Sequence, residues 1–449
     1  MNVLNQLYNI SPYSIKCLMA SAKGSLLNRL RYDKTTNLRV DKYLERESWS
    51  KSDWTEWIEV KQSTILSEAR QYVPYYQNYW SQSNSDFQDI KNWPIISKQE
   101  INKYPDHFLD IRFKKKDLYQ DHTSGTTGTP FNIFLDKNTV KEQYALFQAR
   151  VKGKFGIDLN DSWAIIGAQR VTPIKQTKPP FWVYNFSSKQ LYLSSLHIAK
   201  WSCVDYYNAI KKYQPKYLVG YTNSIFELAR EMLDENLNFP LKAIITNGEP
   251  VSSIQKNIIE SVFHCPVIET YGQAELVSFA NTFPNGKMYL SPEMGNIEFG
   301  QKQKIDGINF AKLISTGLLN KAMPLIRYDT NDLVQDTIKH INGYLPEIGK
   351  VLGRNDDVLT LSDGRKIVQI DGIFTSDLKI RYGQIIQEDF DSFTINIVLE
   401  NNWNDYYKSK LISALKERLG EVKININIMS SFEKTWAGKF RVITSRINS

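Results

Sequence analysis

The stretch that carries most information about the fold is Thr123-Ser124-Gly125-Thr126-Thr127-Gly128-Thr129-Pro130. Its two glycines permit backbone conformations with positive φ and a close approach to a ligand. Successive N–H groups in such a turn form a concavity that binds anions, and the hydroxyls add further donors. No lysine follows the second glycine, so this is not the loop of the Walker NTPases. A polar surface turn is the alternative, but the length of the string favours a phosphate-binding loop.

Downstream of this loop the chain alternates between short apolar strands and amphipathic helices. This alternation predicts an α/β fold, with a mainly parallel sheet that is flanked by helices. Ligands bind beyond the carboxyl ends of the strands in such sheets, and Gly248-Glu249-Pro250 and Tyr271-Gly272 follow two of them. The predicted strands are 131–135, 164–167, 217–221, 243–250, which ends in a turn, and 267–272, and the predicted helices are 139–154, 206–213, 224–235 and 252–263.

The two ends of the chain differ from this middle part. Residues 1–100 are predicted to be a mainly helical lead-in, in which residues 2–32 form an amphipathic basic helix. Such a helix either lies on a membrane surface or packs on its own domain, and we favour packing. Near Gly353 the pattern changes to a small α+β unit. We therefore predict a large domain over residues 1–353 and a small mobile domain over residues 354–449.

Composition excludes several classes of protein. The 449 residues carry a net charge of +8, but the basic runs are short and no nucleic-acid motif accompanies them. Cys17, Cys203 and Cys265 are isolated, which argues against disulfides and zinc, and Cys265 is expected to have a structural role in the core. We find no apolar run long enough to span a bilayer and no signal peptide. The expected location is therefore the cytoplasm, where ATP is available.

Six segments, read in order, resemble the conserved elements of adenylate-forming enzymes, the superfamily of acyl-CoA synthetases, luciferases and peptide-synthetase adenylation domains. The first is the loop quoted above. Its successors are Thr246-Asn247-Gly248-Glu249-Pro250, Tyr271-Gly272-Gln273-Ala274-Glu275, the segment 326–333, Gly353-Arg354-Asn355-Asp356-Asp357 and the segment 435–441 with Gly438-Lys439. Any of these strings alone would be weak evidence, whereas their order and spacing together are specific.

The resemblance implies a role for each matching residue, with ATP and Mg²⁺ as cofactors. Glu275 would hold Mg²⁺, Asp332 would accept bonds from both ribose hydroxyls, and Asp356 would be the hinge between domains. The implied catalytic residues are Lys439, Glu275 and Thr126. The implied nucleotide-binding residues are Thr123, Ser124, Gly125, Thr126, Thr127, Gly128, Asn247, Gly248, Glu249, Tyr271, Gly272, Asp332 and Arg354.

Within the superfamily, the chain is most similar to the phenylacetate-CoA ligase and CapK-like branch. The segment 69–76, which ends in Val73-Pro74-Tyr75-Tyr76, and the start with Leu30-Arg31-Tyr32 carry this resemblance. CapK-type members often belong to bacterial surface-polysaccharide pathways. Residues 359–367 depart from the stretch that follows the hinge in the CoA ligases of this branch, which puts CoA in doubt as acceptor.

The expected function is therefore ATP-dependent activation of a carboxylic acid, followed by acyl transfer to a sugar nucleotide or glycan intermediate. Transfer to CoA is the first alternative, and a non-catalytic binding protein that keeps the fold is the second. A complete set of Glu275, Asp332, Arg354 and Lys439 favours an enzyme. Candidates for the wall of the acid pocket, or else for the core, are Trp163, Phe181, Trp182 and Tyr184.

Overall fold

A computed structural model describes most of the chain. The described residues are 3–122, 132–167, 169–305, 307–340, 345–354, 358–367, 373–374, 376–400, 402–430, 432 and 442–447. The phosphate-loop stretch 123–130, the hinge candidate Asp356 and the terminal Lys439 all lie outside these residues.

Helices form the lead-in, as the sequence predicts. The single helix expected over residues 2–32 is wrong in one respect, because Ser11 and Pro12 divide it into two helices. Proline lacks the N–H that a continuous helix needs. A reciprocal Ser50–Asp53 capping box starts the fourth helix. The helices are α1 (Val3–Ile10), α2 (Tyr13–Arg31), α3 (Thr36–Arg46), α4 (Lys51–Tyr72), α5 (Pro74–Ser81) and α6 (Lys98–Lys103).

Helix α2 packs against the protein itself, which is the favoured of its two predicted settings. The buried Cys17 thiol accepts a bond from the Tyr184 amide at 3.4 Å, and Ser21 Oγ accepts one from the Phe186 amide at 2.9 Å. Gly24 lies so close to Asn185 that a Cβ atom would collide with it. No helix in the described part of the chain is long and apolar enough to cross a membrane.

The middle of the chain carries the predicted alternation of strands and helices. Asp136 caps the helix after the second strand by accepting bonds from the Asn138 and Thr139 amides. The elements are β1 (Tyr119–His122), β2 (Asn132–Leu135), α7 (Lys137–Phe147), β3 (Trp163–Gly167), β4 (Trp182–Asn185), β5 (Gln190–Ser194), α8 (Cys203–Tyr213), β6 (Tyr217–Tyr221), α9 (Thr222–Asp234), β7 (Ala243–Asn247), α10 (Ser253–Phe263), β8 (Val267–Gly272), β9 (Phe279–Thr282) and β10 (Met288–Leu290).

A large mixed sheet forms the centre of the molecule. Its strand order is β4-β5-β3-β6-β7-β8-β9-β10, continued at the β10 edge by two short strands. Strands β5, β3, β6, β7 and β8 are parallel, while β4 and β9 are antiparallel to their neighbours. One apolar core, which includes Cys203 and Cys265, packs on helices α8, α9 and α10. The predicted α/β fold with a mainly parallel central sheet is confirmed.

A four-stranded antiparallel sheet follows, in the order β11-β12-β13-β16. Two residues adopt left-handed backbone conformations beside β13, and one of them is Asn331 at φ 57°. Asparagine tolerates this conformation better than most residues, which explains why it can stand where the superfamily usually has glycine. The elements are β11 (Gly295–Ile305), β12 (Ile308–Gly317), β13 (Tyr328–Gln335), β14 (Ile338–Lys339), β15 (Glu347–Ile348) and β16 (Val351–Arg354).

The C-terminal part is an α+β unit with its own apolar core. Its sheet has the order β21-β20-β19-β22, and the helix packs three buried leucines against it: Leu411, Leu415 and Leu419. The elements are β17 (Leu359–Thr360), β18 (Lys366–Ile367), β19 (Ile380–Asp389), β20 (Ser392–Leu399), α11 (Asp405–Leu419), β21 (Lys423–Met429) and β22 (Ile443–Ser445).

Two crossed ion pairs join this unit to helix α9. Arg230 pairs with Glu400, and Arg381 pairs with Glu231. Arg230 Nη1 also donates to the Arg381 carbonyl at 2.7 Å. Because Glu231 is only 3% exposed, its charge depends on the Arg381 partner. These four residues, which we call the α9 latch, fix the C-terminal unit in the arrangement seen here.

Candidate active site

The carboxyl ends of β7 and β8 lie side by side, as expected for parallel neighbours. Thr270 Oγ1 donates to the Thr246 carbonyl at 2.7 Å and ties these ends together. Beyond β7, Gly248 turns the chain with φ 73°. Asn247, Gly248 and Gly272 line a cavity of about 1910 Å³. The structure therefore brings these three predicted nucleotide-binding residues to one opening.

Glu249 takes a different position from its neighbours in the same segment. Its Oε2 accepts a bond from the Asn223 amide at 3.0 Å, and its carbonyl accepts one from Thr222 Oγ1 at 2.9 Å. Both partners belong to the first turn of α9, where amide groups lack helical acceptors. The Glu249 side chain therefore holds the turn against α9, and a role in nucleotide binding stays a prediction.

Tyr271 and Asp332 meet between the two sheets. The Tyr271 hydroxyl donates to Asp332 Oδ2 at 2.8 Å, and Gln273 Nε2 donates to the same oxygen at 3.0 Å. Gln273 is itself fixed, because its Oε1 accepts a bond from Ser278 Oγ at 2.8 Å. Burial, and then the charge of Asp332, raise the pKa of Tyr271 well above its ordinary value. The hydroxyl therefore stays protonated and acts as a donor.

Arg354 lies opposite Asp332 in the pairing of strands β13 and β16. Asp332 and Arg354 are register partners across these antiparallel strands. Opposed residues in such a pair lie with their Cα atoms about 4.5–5.5 Å apart. Two segments that stand twenty residues apart in the sequence, and that were both assigned to the nucleotide, are thus neighbours in the fold.

Glu275 lies deeper than the other candidates. It is 7% exposed, and its Oε1 accepts a bond from the Tyr328 hydroxyl at 2.9 Å. Tyr328 itself is 2% exposed and packs in the core with Leu276 and Val277. The bond from Tyr328 orients this buried carboxylate. The sequence analysis missed Tyr328 and Gln273 as site residues, although both lie inside the quoted segments.

Only one of the four aromatic candidates lines the cavity. Trp163 does so, whereas Phe181 is fully buried and stacks on His197 at 5.0 Å between ring centroids. Tyr184 stacks on Tyr213 at 4.2 Å, and Trp182 packs against the core beside α8. The interpretation of these three as core residues is the correct one.

The chain is similar in sequence and fold to several known proteins. Residues 359–446 match the family model of the CapK C-terminal domain. The chain is 28% identical over 436 residues to Protein CapK of Staphylococcus aureus, with 93% of this chain and 92% of that protein covered. A crystal structure of 2-hydroxyisobutyryl-CoA ligase in the postadenylation state matches with a TM-score of 0.69 at 17% identity, and covers 90% of this chain and 92% of that one.

A second structure of that ligase, in complex with 2-HIB-AMP and CoA in the thioesterification state, matches with a TM-score of 0.53 at 17% identity, and covers 89% of this chain and 91% of that one. These findings confirm the predicted fold, which the chain shares with 2-hydroxyisobutyryl-CoA ligase. The chain is similar to Protein CapK over most of its length, and its C-terminal part matches the model of the CapK C-terminal domain.

Proposed function

We propose that the protein activates a carboxylic acid with ATP and passes the acyl group to a sugar nucleotide or glycan intermediate in bacterial surface-polysaccharide biosynthesis. In the first step a carboxylate oxygen of the acid attacks the α-phosphorus and pyrophosphate leaves. In the second step an amine or hydroxyl of the acceptor attacks the acyl carbonyl, and AMP leaves. The first step needs positioning and charge neutralisation more than covalent help from the protein. A cytoplasmic location stays a prediction.

The observation that carries the proposal is the fixed geometry around Asp332. Two donors, the Tyr271 hydroxyl and the Gln273 amide, hold Oδ2 of this carboxylate. These two bonds orient the carboxylate, and a carboxylate suits a vicinal diol because it can accept two hydrogen bonds at once. Arg354 stands opposite in register. This supports ribose binding beside Asn247 and Gly248, where the superfamily places the nucleotide.

Mg²⁺ fits the donor set that the described residues offer. They contain no cluster of three or more His, Cys, Asp or Glu side chains that could hold a metal. Magnesium, however, is usually bound through one or two carboxylates together with substrate phosphates. Glu275 supplies one buried carboxylate that Tyr328 orients. The ion would neutralise phosphate charge, while Glu275 and Tyr328 keep its oxygen ligand in a fixed position.

The arrangement of the two parts of the chain supports the adenylation step. The chain matches the postadenylation state of 2-hydroxyisobutyryl-CoA ligase with a TM-score of 0.69, against 0.53 for the thioesterification state. The same sequence is compared in both cases, so the difference reflects how the parts are arranged. We infer that the α9 latch belongs to the adenylation arrangement.

A second cavity supports an anionic acceptor. It has a volume of about 570 Å³ and lies between β11 and the C-terminal unit. Arg365 in its wall is exposed near a hairpin tip and pairs with Asp363 at 2.6 Å, so part of its charge is already matched. The four cations of the wall nevertheless outnumber its two carboxylates; they are Lys304, Arg365, Lys366 and Arg418, against Asp363 and Glu417.

Transfer to CoA is the second candidate, since the solved neighbours with the higher TM-scores are forms of a CoA ligase. The decisive experiment has two stages. ATP–pyrophosphate exchange over a panel of carboxylic acids tests the first step, with Asp332→Asn as the impaired control. Mass spectrometry of products then tests the acceptor. If none of the acids supports exchange, the result would favour a non-catalytic binding protein. Saturable acyl-CoA formation at micromolar CoA, without transfer to sugars, would show that CoA and not a glycan is the acceptor.

A further inference from the structure

The large cavity reaches far beyond the candidate nucleotide site. Its lining includes alternate residues of one sheet face, among them Trp163 and Ile165 of β3 and Tyr217 and Val219 of β6. Helices α2 and α7 form the opposite wall, with Leu27 as one contributor. At about 1910 Å³ the cavity exceeds the roughly 300–1,000 Å³ of an ordinary small-molecule pocket. A short acid would leave much of this volume unfilled.

The register of the strands gives the length of the cavity. Trp163 pairs with Tyr217 at the amino ends of β3 and β6. Four residues further along β6, Tyr221 pairs with Asn247 at the carboxyl end of β7. At about 3.3 Å per residue, these levels are separated by roughly 13 Å. The nucleotide-side residues and the Trp163 level therefore lie at opposite ends of one cavity.

Lys152 occupies the far end. It belongs to a π-helical turn, Gln148–Lys152, that continues α7, and such turns often occur at functional sites. Its Nζ lies 5.0 Å from the ring centroid of Tyr217 and 5.8 Å from that of Trp163. In the described part of the chain, the Lys152 ammonium makes no ion pair. Aromatic faces attract a cation but do not neutralise it.

A second cation faces the same space. Arg31 of α2 lines the cavity, lies 4.5 Å over the Tyr144 ring, and likewise makes no ion pair with a described residue. Burial, and then the Arg31 charge, lower the pKa of Lys152 to about 8, while Asp161 acts in the opposite sense. The nearby Asp161 carboxylate is already paired with Lys242 at 2.7 Å. Among the described residues, six cations and two carboxylates line the cavity: Lys23, Arg31, Lys34, Lys152, Arg170 and Lys189, against Asp33 and Asp121.

Charges that are partly removed from water in proteins are usually paired, and the half-buried cations Lys152 and Arg31, which make no ion pair with a described residue, therefore call for an anion. We propose that Lys152 and Arg31 bind a second anionic group on the carboxylic acid substrate, at the end remote from the carboxylate that is activated. The acid is then an elongated one with a terminal carboxylate or phosphate. This inference rests on the proposed function for the identity of the ligand as substrate, but the anion subsite itself does not.

The test uses α,ω-dicarboxylic acids from succinate to dodecanedioate, each with its monomethyl ester, and an ω-phosphono fatty acid of matched length. Isothermal titration calorimetry on the full chain measures binding. Binding should tighten with chain length, and the long diacid should bind at least tenfold more tightly than its ester. A preference for the phosphono acid over the diacid would assign the remote group as a phosphate, and the reverse would assign it as a carboxylate.

Three variants isolate the lysine. Lys152→Met should remove the preference of diacid over ester, and Lys152→Arg should retain part of it, which separates loss of charge from loss of fold. Lys212→Met is the matched control, because Lys212 also lies over a ring, that of Tyr213 at 5.3 Å, but is exposed and outside the cavity. Equal diacid binding by wild type and Lys152→Met would overturn the proposal. A Lys152→Met variant that binds ATP more weakly but binds the diacids as wild type does would overturn it as well.

ATP–pyrophosphate exchange with the same acids separates this inference from the proposed function. No exchange with any acid, together with a charge-dependent preference in the titrations, would refute the ligase and keep the subsite. Vigorous exchange in which diacid and ester are equivalent would keep the ligase and refute the subsite.

Discussion

The Tyr271 hydroxyl donates a 2.8 Å hydrogen bond to Asp332 Oδ2, across 61 positions of sequence. The bond joins the end of β8 in the central sheet to β13 in the antiparallel sheet. Gln273 donates to the Tyr271 oxygen at 2.6 Å and also to the same carboxylate oxygen. The carboxylate thus has one orientation before any ligand arrives, and this preorganisation reduces the entropy lost on binding.

Tyr271→Phe should therefore weaken ATP binding while the fold persists. A hydrogen bond to a charged group contributes about 1.5–3 kcal/mol, so we expect the KM for ATP to rise roughly tenfold or more. The measurement is ATP–pyrophosphate exchange at varied ATP, with the acid saturating. Ser278→Ala is the comparison, since it loosens Gln273 but keeps the Tyr271 hydroxyl that donates to Asp332, and it should have a smaller effect. An unchanged KM for ATP in Tyr271→Phe would contradict a role for this bond in orienting Asp332.

Glu275→Gln should alter the magnesium dependence of the reaction. The amide keeps an acceptor for the Tyr328 hydroxyl but removes the charge that would hold the ion. We expect the Mg²⁺ concentration for half-maximal exchange to rise several-fold, with thermal stability near that of wild type. Tyr328→Phe is the control that keeps the charge and removes the orienting bond. Identical Mg²⁺ titrations for wild type and Glu275→Gln at equal activity would remove Glu275 from the metal site.

The sequence predicted those parts of the fold that local patterns determine. Strands β6 and β8 have the predicted bounds, because continuous apolar runs between turn residues mark buried parallel strands. Strands β4 and β5 were missed, although they complete one edge of the central sheet. Their residues 182–185 and 190–194 form short mixed apolar and polar runs, and such runs do not by themselves show whether they form strands.

The candidate site was predictable as a set of segments but not as a set of contacts. Asn247, Gly272 and Asp332 follow from motif strings, while the bond from Tyr328 to Glu275 spans 53 positions and depends on how two sheets pack. The orientation of Glu249 toward α9 is equally non-local. Lys152 had no sequence signal of its own, since a lysine at the end of an amphipathic helix is usually exposed.

Lys439→Ala should depress adenylation and spare acyl transfer from a preformed adenylate. Lys439 lies outside the described residues, and the expectation rests on the Gly438-Lys439 element of the sequence. A preorganised cation beside developing negative charge contributes about 3 kcal/mol, on the order of a hundredfold in rate. Single-turnover kinetics of each half-reaction measure this. Equal losses in both would show that the lysine is not specific to the first step.

The α9 latch should control the equilibrium between the arrangements of the protein that carry out the two half-reactions. Arg381→Ala leaves the Glu231 carboxylate, 3% exposed, without its arginine partner and so disfavours the latched arrangement. A shift of about 1.4 kcal/mol would change the ratio of the two populations about tenfold. We expect slower adenylation and unchanged or faster acyl transfer.

The control for the latch is Arg446→Ala. Arg446 pairs with Glu388 within the C-terminal unit and is largely exposed, so its loss should leave both rates near wild type. A change in inter-part distance can be followed by fluorescence transfer between labels on α9 and α11. Equal slowing of both half-reactions by Arg381→Ala, without a change in that distance, would show that the latch stabilises the fold but does not control the arrangement of the two parts.

Lys152→Met should stabilise the protein near neutral pH, and the gain should disappear at high pH. The folded-state pKa of Lys152, about 8, lies below its unfolded value of about 10.5, because burial and Arg31 disfavour the charged form. Below pH 8 both states carry the proton, and the folded state bears the cost of a buried charge. Between about pH 8 and pH 10.5 the unfolded state binds more protons, so the Lys152 contribution to the free energy of unfolding rises with pH.

The size of this effect follows from the pKa difference, which corresponds to about 3 kcal/mol at most. Urea unfolding of wild type and Lys152→Met, measured from pH 7 to pH 10.5, isolates it, since all other titrating groups are common to both proteins. The difference in free energy of unfolding between wild type and Lys152→Met should be largest at pH 7. At pH 10.5 it should approach the part that comes only from the different packing of lysine and methionine. A difference that stays constant over this range would mean that Lys152 keeps an ordinary pKa, and that its surroundings at the remote end of the cavity do not disfavour the charged form.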